Sequence, residues 1–214
     1  LFREAHVQLR EMLSHYVPAD QVDDRLYQAE LANLSIYGYG VTGFTLSMIE
    51  TAIELSDGKI SAEDIHKLAE TGKSMLRAPT RIIEGAEAVL RQYASHPKYK
   101  VVLITKGDLL DQERKLAQSG LGDLFHAVEI VSDKTAAVYA GIFCRHGAGA
   151  DRGLMVGNSM KSDVVPIIDA GGWGIYVPGS LSWALEHAEP PTESDKYQQI
   201  DDLSGLVPIL ESLG

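Results

Sequence analysis

Three short polar clusters carry the residue types that bind and transfer a phosphoryl group: Thr105-Lys106-Gly107-Asp108, Ser132-Asp133-Lys134 and Gly157-Asn158-Ser159-Met160-Lys161-Ser162-Asp163. A hydroxyl and a loop backbone donate hydrogen bonds to phosphoryl oxygens. A lysine ammonium offsets the charge of a phosphorylated group, an attraction of roughly 4 kcal/mol for a pair about 4 Å apart at an effective dielectric of about 20. The Asn158 amide oxygen and the Asp163 carboxylate are hard ligands suited to Mg2+, which takes near-octahedral oxygen coordination and keeps several waters. Singly, each cluster has an ordinary explanation. Thr105 and Gly107 form turns, Lys106 is a surface lysine, Lys134 pairs with Asp133, and Ser159 or Ser162 caps a helix. The order of the three clusters points further, to one site for a phosphoryl group and Mg2+.

Such a site needs a scaffold that brings separate strand ends together. After Pro79, short β-rich runs alternate with helical patterns. The spacing predicts strands over 100–105, 127–131, 153–156 and 174–177, and helices over 109–119, 135–146, 163–170 and 203–213. Strands separated by helices of this length imply βαβ units and a parallel sheet. The run Val101-Val102-Leu103-Ile104 has no polar alternation, as expected of a strand covered on both faces. In such a sheet ligands bind beyond the carboxyl ends of the strands, where all three clusters fall.

Residues 1 to 76 are helical in pattern throughout, with Phe2, Ala5, Leu9, Met12, Leu13 and Tyr16 on one face of the first segment. Pro18 closes that helix, and further helices are expected over 19–34, 42–55 and 61–75, the last with Ser61 as N-cap and acids in its first turn. The expected division is a helical domain over residues 1–78 and an α/β domain over 79–214. Trp173 and Trp183 are expected to pack. Cys144 is expected to be a small core residue, the adjacent pairs Asp23-Asp24 and Asp201-Asp202 to be solvated, and residues 189–195 to form a solvated loop.

The segments Leu103-Ile104-Thr105-Lys106-Gly107-Asp108, Lys134 and Val156-Gly157-Asn158-Ser159-Met160-Lys161-Ser162-Asp163 resemble motifs II, III and IV of the haloacid dehalogenase superfamily. The helical N-terminal part is similar to that family's C1-type cap. The resemblance implies a Rossmann-like α/β parallel-sheet core with a small all-helical cap. It implies that Thr105, with Lys106 beside it, binds the phosphoryl group, that Lys134 stabilises a phosphoaspartate and orients the nucleophile, and that Asn158 and Asp163 hold Mg2+. Tyr37 and Tyr39, in Tyr37-Gly38-Tyr39-Gly40, fall where such caps carry a substrate-specificity loop. The family's nucleophile is an aspartate ending the first strand, often with a second aspartate two residues on. Asp-x-Asp occurs nowhere in the chain, and Leu1 already lies within a helical pattern, so that strand is expected just upstream of Leu1. Asn158 stands where many members carry aspartate, which lowers the negative charge of the site by one and predicts weaker metal binding.

The resemblance thus implies a Mg2+-dependent phosphatase acting on a small phosphate ester through an aspartyl-phosphate. The alternatives are a 2-haloacid dehalogenase, or a non-catalytic protein that binds a phosphorylated ligand or a partner. A net charge of −11 and scattered basic residues argue against a nucleic-acid partner. No apolar run reaches membrane-spanning length, and a single cysteine fits a reducing, cytoplasmic compartment. No Gly-x-Gly-x-x-Gly follows a strand, which disfavours a nucleotide-cofactor oxidoreductase.

Overall fold

The computed structural model describes residues 1–179 and 186–213, so Trp183 lies outside the described residues. The chain divides into two units, one of Leu1–Thr80 with Lys106–Lys115, the other of Arg81–Thr105 with Leu116–Gly214.

The first unit is built on four helices, α1 (Phe2–Leu13), α2 (Ala19–Tyr37), α3 (Val41–Leu55) and α4 (Ala62–Arg77). Their apolar stripes meet in one core that includes Leu9, Leu13, Leu26, Phe44, Met48 and Leu68. α4 starts because Ser61 accepts the Asp64 N–H at 3.0 Å and because Glu63 and Asp64 sit in its first turn. Asp23, which keeps 37% of its side chain exposed, is also paired. Its carboxylate takes both Nε and Nη2 of Arg10, at 2.6 and 2.5 Å, because α1 and α2 pack with these residues facing each other.

In the second unit, α5 (Ala86–Ala94) leads to β1 (Val102–Lys106), whose last residue belongs to the first unit. There follow α6 (Leu109–Ser119), β2 (Ala127–Val131), α7 (Ala136–His146), β3 (Leu154–Gly157), a π-helical turn (Met160–Val164), α8 (Val165–Asp169), β4 (Trp173–Tyr176), β5 (Tyr197–Gln199) and α9 (Leu206–Leu213). β3, β4 and β5 form a parallel ladder with Leu154 opposite Trp173 and Gly174 opposite Tyr197. β1 pairs with β2 in a separate ladder.

The two ladders share the same two cores. Val102 and Ile104 of β1 join Met155 of β3 in a cluster with Tyr139, Ile142 and Ile167 from α7 and α8. Val101, just before β1, joins Leu154 and Val156 of β3 in a cluster with Tyr93, Ile175, Leu206 and Leu210 on the other face. Among the described residues, β1 and β3 each have a strand partner on one side only. Two apolar strands thus lie between the same helical layers, each with one edge of its backbone groups outside the ladder.

Cys144 is exposed, contrary to expectation, because α7 turns Tyr139 and Ile142 inward and leaves position 144 on its outer side. Asp202 also does more than meet solvent. Its carboxylate accepts the Ser204 N–H at 2.8 Å and starts the short 3-10 turn before α9.

Candidate active site

The chain ends β3 on Gly157, continues through the exposed Asn158 and enters the π-turn with Asp163 buried. A Cβ at position 157 would stand 2.2 Å from Asp163 Oδ2. Only glycine leaves room for that carboxylate against the strand end. Asp163 Oδ2 accepts the Ser159 backbone N–H at 3.0 Å, and Oδ1 accepts from Lys134 Nζ at 2.7 Å.

Lys134 reaches Asp163 from the turn between β2 and α7. Its backbone N–H is held by Asp133 Oδ1 at 2.8 Å, and the next residue, Thr135, caps α7 by accepting the Val138 N–H at 3.3 Å. The two charged side chains are nearly enclosed, 10% exposed for Lys134 and 6% for Asp163. Burial of this order makes the pair consequential, since removing one partner strands the other's charge in a poorly solvated place.

Thr105 is half-buried on β1, directly after the buried Ile104. The strand runs through Lys106, one residue beyond the expected end, and then bends at Gly107. Lys106 Nζ lies over the Tyr39 ring, 3.6 Å from its centroid, a cation–π contact. Asp108 Oδ2 accepts the Thr42 hydroxyl at 2.8 Å. Gly40, with φ of 149°, lets the backbone pass this carboxylate, where a Cβ would be 2.8 Å away. The structure therefore groups the expected residues as Lys134 with Asp163, and Lys106 with Tyr39. Tyr37 is exposed at the end of α2.

Two hard oxygen donors stand at the end of β3, the Asn158 amide and the Asp163 carboxylate. Each Asp163 oxygen has one hydrogen-bond donor, and a carboxylate offers about four lone-pair sites in all, so room for a cation remains. Such a donor pair fits one side of a Mg2+ octahedron, the rest being water, substrate and any further carboxylate. Among the described residues no group of three His, Cys, Asp or Glu side chains gathers as a metal site.

Sequence reasoning missed Glu186 and Tyr139 as parts of this region, whereas Ser159 caps the turn as expected. Ser159 accepts the Ser162 N–H at 2.9 Å, donates its hydroxyl to the Glu186 carboxylate, and so sits at the centre of the turn. A Ser-x-x-Ser spacing hinted at the cap, but no local pattern marked Glu186.

No protein-family model and no curated protein sequence matches the chain. Solved structures do. A haloacid dehalogenase-like family hydrolase from Xanthomonas campestris is 39% identical, with a TM-score of 0.85 over 99% of this chain and 84% of the other. The HAD-hydrolase YfnB from Bacillus subtilis, bound to magnesium, is 17% identical with a TM-score of 0.65 over 98% of this chain and 92% of the other. A 2-haloacid dehalogenase from Pseudomonas syringae pv. tomato DC3000 is 16% identical with a TM-score of 0.57 over 100% and 92%. The last two show the fold alone. The first shows more: the chain belongs to the haloacid dehalogenase-like family of hydrolases, as its three strand-end motifs implied. No helix among the described residues is long and apolar enough to cross a membrane.

Proposed function

We propose that this hydrolase is a Mg2+-dependent phosphatase of small phosphate esters. The observation that carries the reading is the enclosed Lys134–Asp163 pair at 2.7 Å, set against Gly157 at the end of β3. The magnesium-bound relative of the same fold is in keeping with it. Asn158 and Asp163 would hold Mg2+, which when bound neutralises phosphoryl charge.

The nucleophile in this reading is an aspartate on a strand N-terminal to Leu1, seated between β1 and β3. Support comes from the two one-sided strands that share both cores. An aspartate oxygen bonds to phosphorus as the ester oxygen leaves with a proton. Water then attacks phosphorus, releasing inorganic phosphate and restoring the carboxylate. Thr105 donates its hydroxyl to the phosphoryl oxygens, and Lys134 supplies positive charge beside them. Tyr37 and Tyr39 are the candidates for selecting the substrate, with Lys106 contributing charge near the Tyr39 ring. The helical unit serves as the cap and the other as the catalytic core. The free thiol of Cys144 suits the cytoplasm.

The test is phosphate release by the full-length protein with Mg2+ across a panel of phosphate esters. Lys134→Ala and Asp163→Asn should each lower kcat by roughly a hundredfold or more, the scale of losing one electrostatic contact to a transition state. Asn158, one charge short of aspartate, favours one rival, a 2-haloacid dehalogenase. Chloride release from 2-chloropropionate without added metal, together with no phosphate from any ester, would establish that rival instead.

A further inference from the structure

The turn that presents Asp163 is tied from behind by side chains for which the proposed chemistry has no use. Both the Asp163 and Val164 N–H groups bond to the Ser159 carbonyl, at 2.8 and 3.2 Å, and the longer reach to Val164 makes this a π-turn. Tyr139, fully buried, donates its hydroxyl to the Ser162 carbonyl at 3.0 Å. Burial, with the nearby Asp163 and Glu186 charges, holds its phenol above the usual range, so it remains a donor. Glu186 lies far along the chain, beyond β4. Its Oε2 accepts both the Ser159 hydroxyl and, at 2.5 Å, the Ser162 hydroxyl.

A helix cap alone does not explain this arrangement. Ser159 already satisfies the Ser162 N–H without help from a carboxylate. What Glu186 adds is a charged acceptor that fixes both hydroxyls at once, and such charge-assisted bonds are the strong ones. The winding of the turn is what they hold. A turn that relaxed from π to the tighter α winding would change the direction of the Asp163 side chain relative to Lys134.

We propose that Glu186 is a positioning residue of this site: through Ser159 and Ser162 it locks the π-turn that aims the Asp163 carboxylate. The inference rests on the reading of Asp163 as a functional group, and names the residue that sets its direction.

The test compares Glu186→Ala and Glu186→Gln in the full-length protein by two measurements, amide hydrogen exchange without metal and calorimetric titration with Mg2+. Glu186→Ala should speed exchange at Ser162, Asp163 and Val164 by about tenfold or more, leaving the amides of α1 to α4 unchanged. It should also weaken Mg2+ binding by roughly 10- to 100-fold, the usual consequence of losing a group that orients a ligand. Glu186→Gln keeps an acceptor oxygen for both hydroxyls and should recover most of both effects. Should Glu186→Ala fail to fold, Ser162→Ala, which removes one of the two bonds, must still speed exchange at Asp163. If the turn's exchange is unchanged, or rises no more than exchange throughout 81–214, the proposal is overturned. Wild-type protein that takes up no Mg2+, with the turn still loosened selectively in Glu186→Ala, sinks the metal reading and leaves the positioning role standing. Normal Mg2+ uptake that neither variant alters, without loosening, does the reverse.

Discussion

The carboxylate of Asp163 occupies space that any side chain at position 157 would fill. A Cβ there would meet Oδ2 at 2.2 Å and Cγ at 2.3 Å, distances at which the carboxylate must move. Gly157→Ala should therefore act like a substitution of Asp163 itself. It should disrupt the bond to Lys134 Nζ, weaken Mg2+ uptake and cost about 1–3 kcal/mol of stability, the range for overpacking a closed site. Denaturant unfolding and Mg2+ titration of this variant check it, and retention of both at wild-type levels would refute the crowding argument. The proposed roles of residues 134, 158 and 163 rest on residue types that are legible in the sequence, because each follows a strand and each fits one task. What the sequence did not carry was pairing. Lys106 had as much claim to a phosphate as Lys134, and only the fold lays its ammonium on the Tyr39 ring. Cys144 misled for a related reason: α7 is apolar on most sides, so composition could not say which side faced inward.

The elements that aim these groups depend on their ends. α7 begins two residues after Lys134, and the residue between, Thr135, supplies its capping oxygen to the Val138 N–H. Thr135→Ala should lower stability by about 1 kcal/mol, as loss of a cap does, and raise exchange of the α7 N-terminal amides. Thr135→Ser should keep the cap, so an equal loss in both variants would point away from capping. Long periodic segments such as α3 and α6 were legible to within a residue, since their apolar spacing survives any choice of boundary. Two short elements were not. α5 has no side-chain cap and mixes charge with apolar residues over nine positions, and β5 is only Tyr197-Gln198-Gln199, a half-polar strand held by β4 rather than by its own pattern. The π-turn was hidden too, read as the start of an α-helix at 163, because it is tied by a hydrogen bond from Tyr139 and by the Glu186 carboxylate, which accepts the Ser162 hydroxyl, both remote in sequence.

At the scale of the molecule, each unit closes its own core, one around Leu9, Met48 and Leu68, the other on both faces of the strand layer. That layering was expected from the alternation after Pro79. The split into two ladders was not, since a sequence pattern lists strands without saying which neighbours lie side by side. The one-sided strands β1 and β3 also set how the protein behaves in the test tube. Backbone groups along an open strand edge are templates for another extended chain, and apolar edges of this kind are what natural sheets cover or charge. The protein should self-associate through such edges at micromolar concentration, visible as oligomers in sedimentation, and a strictly monomeric preparation would refute this. The same pair of edges that divides the strand layer would then also govern whether the chain stays dispersed.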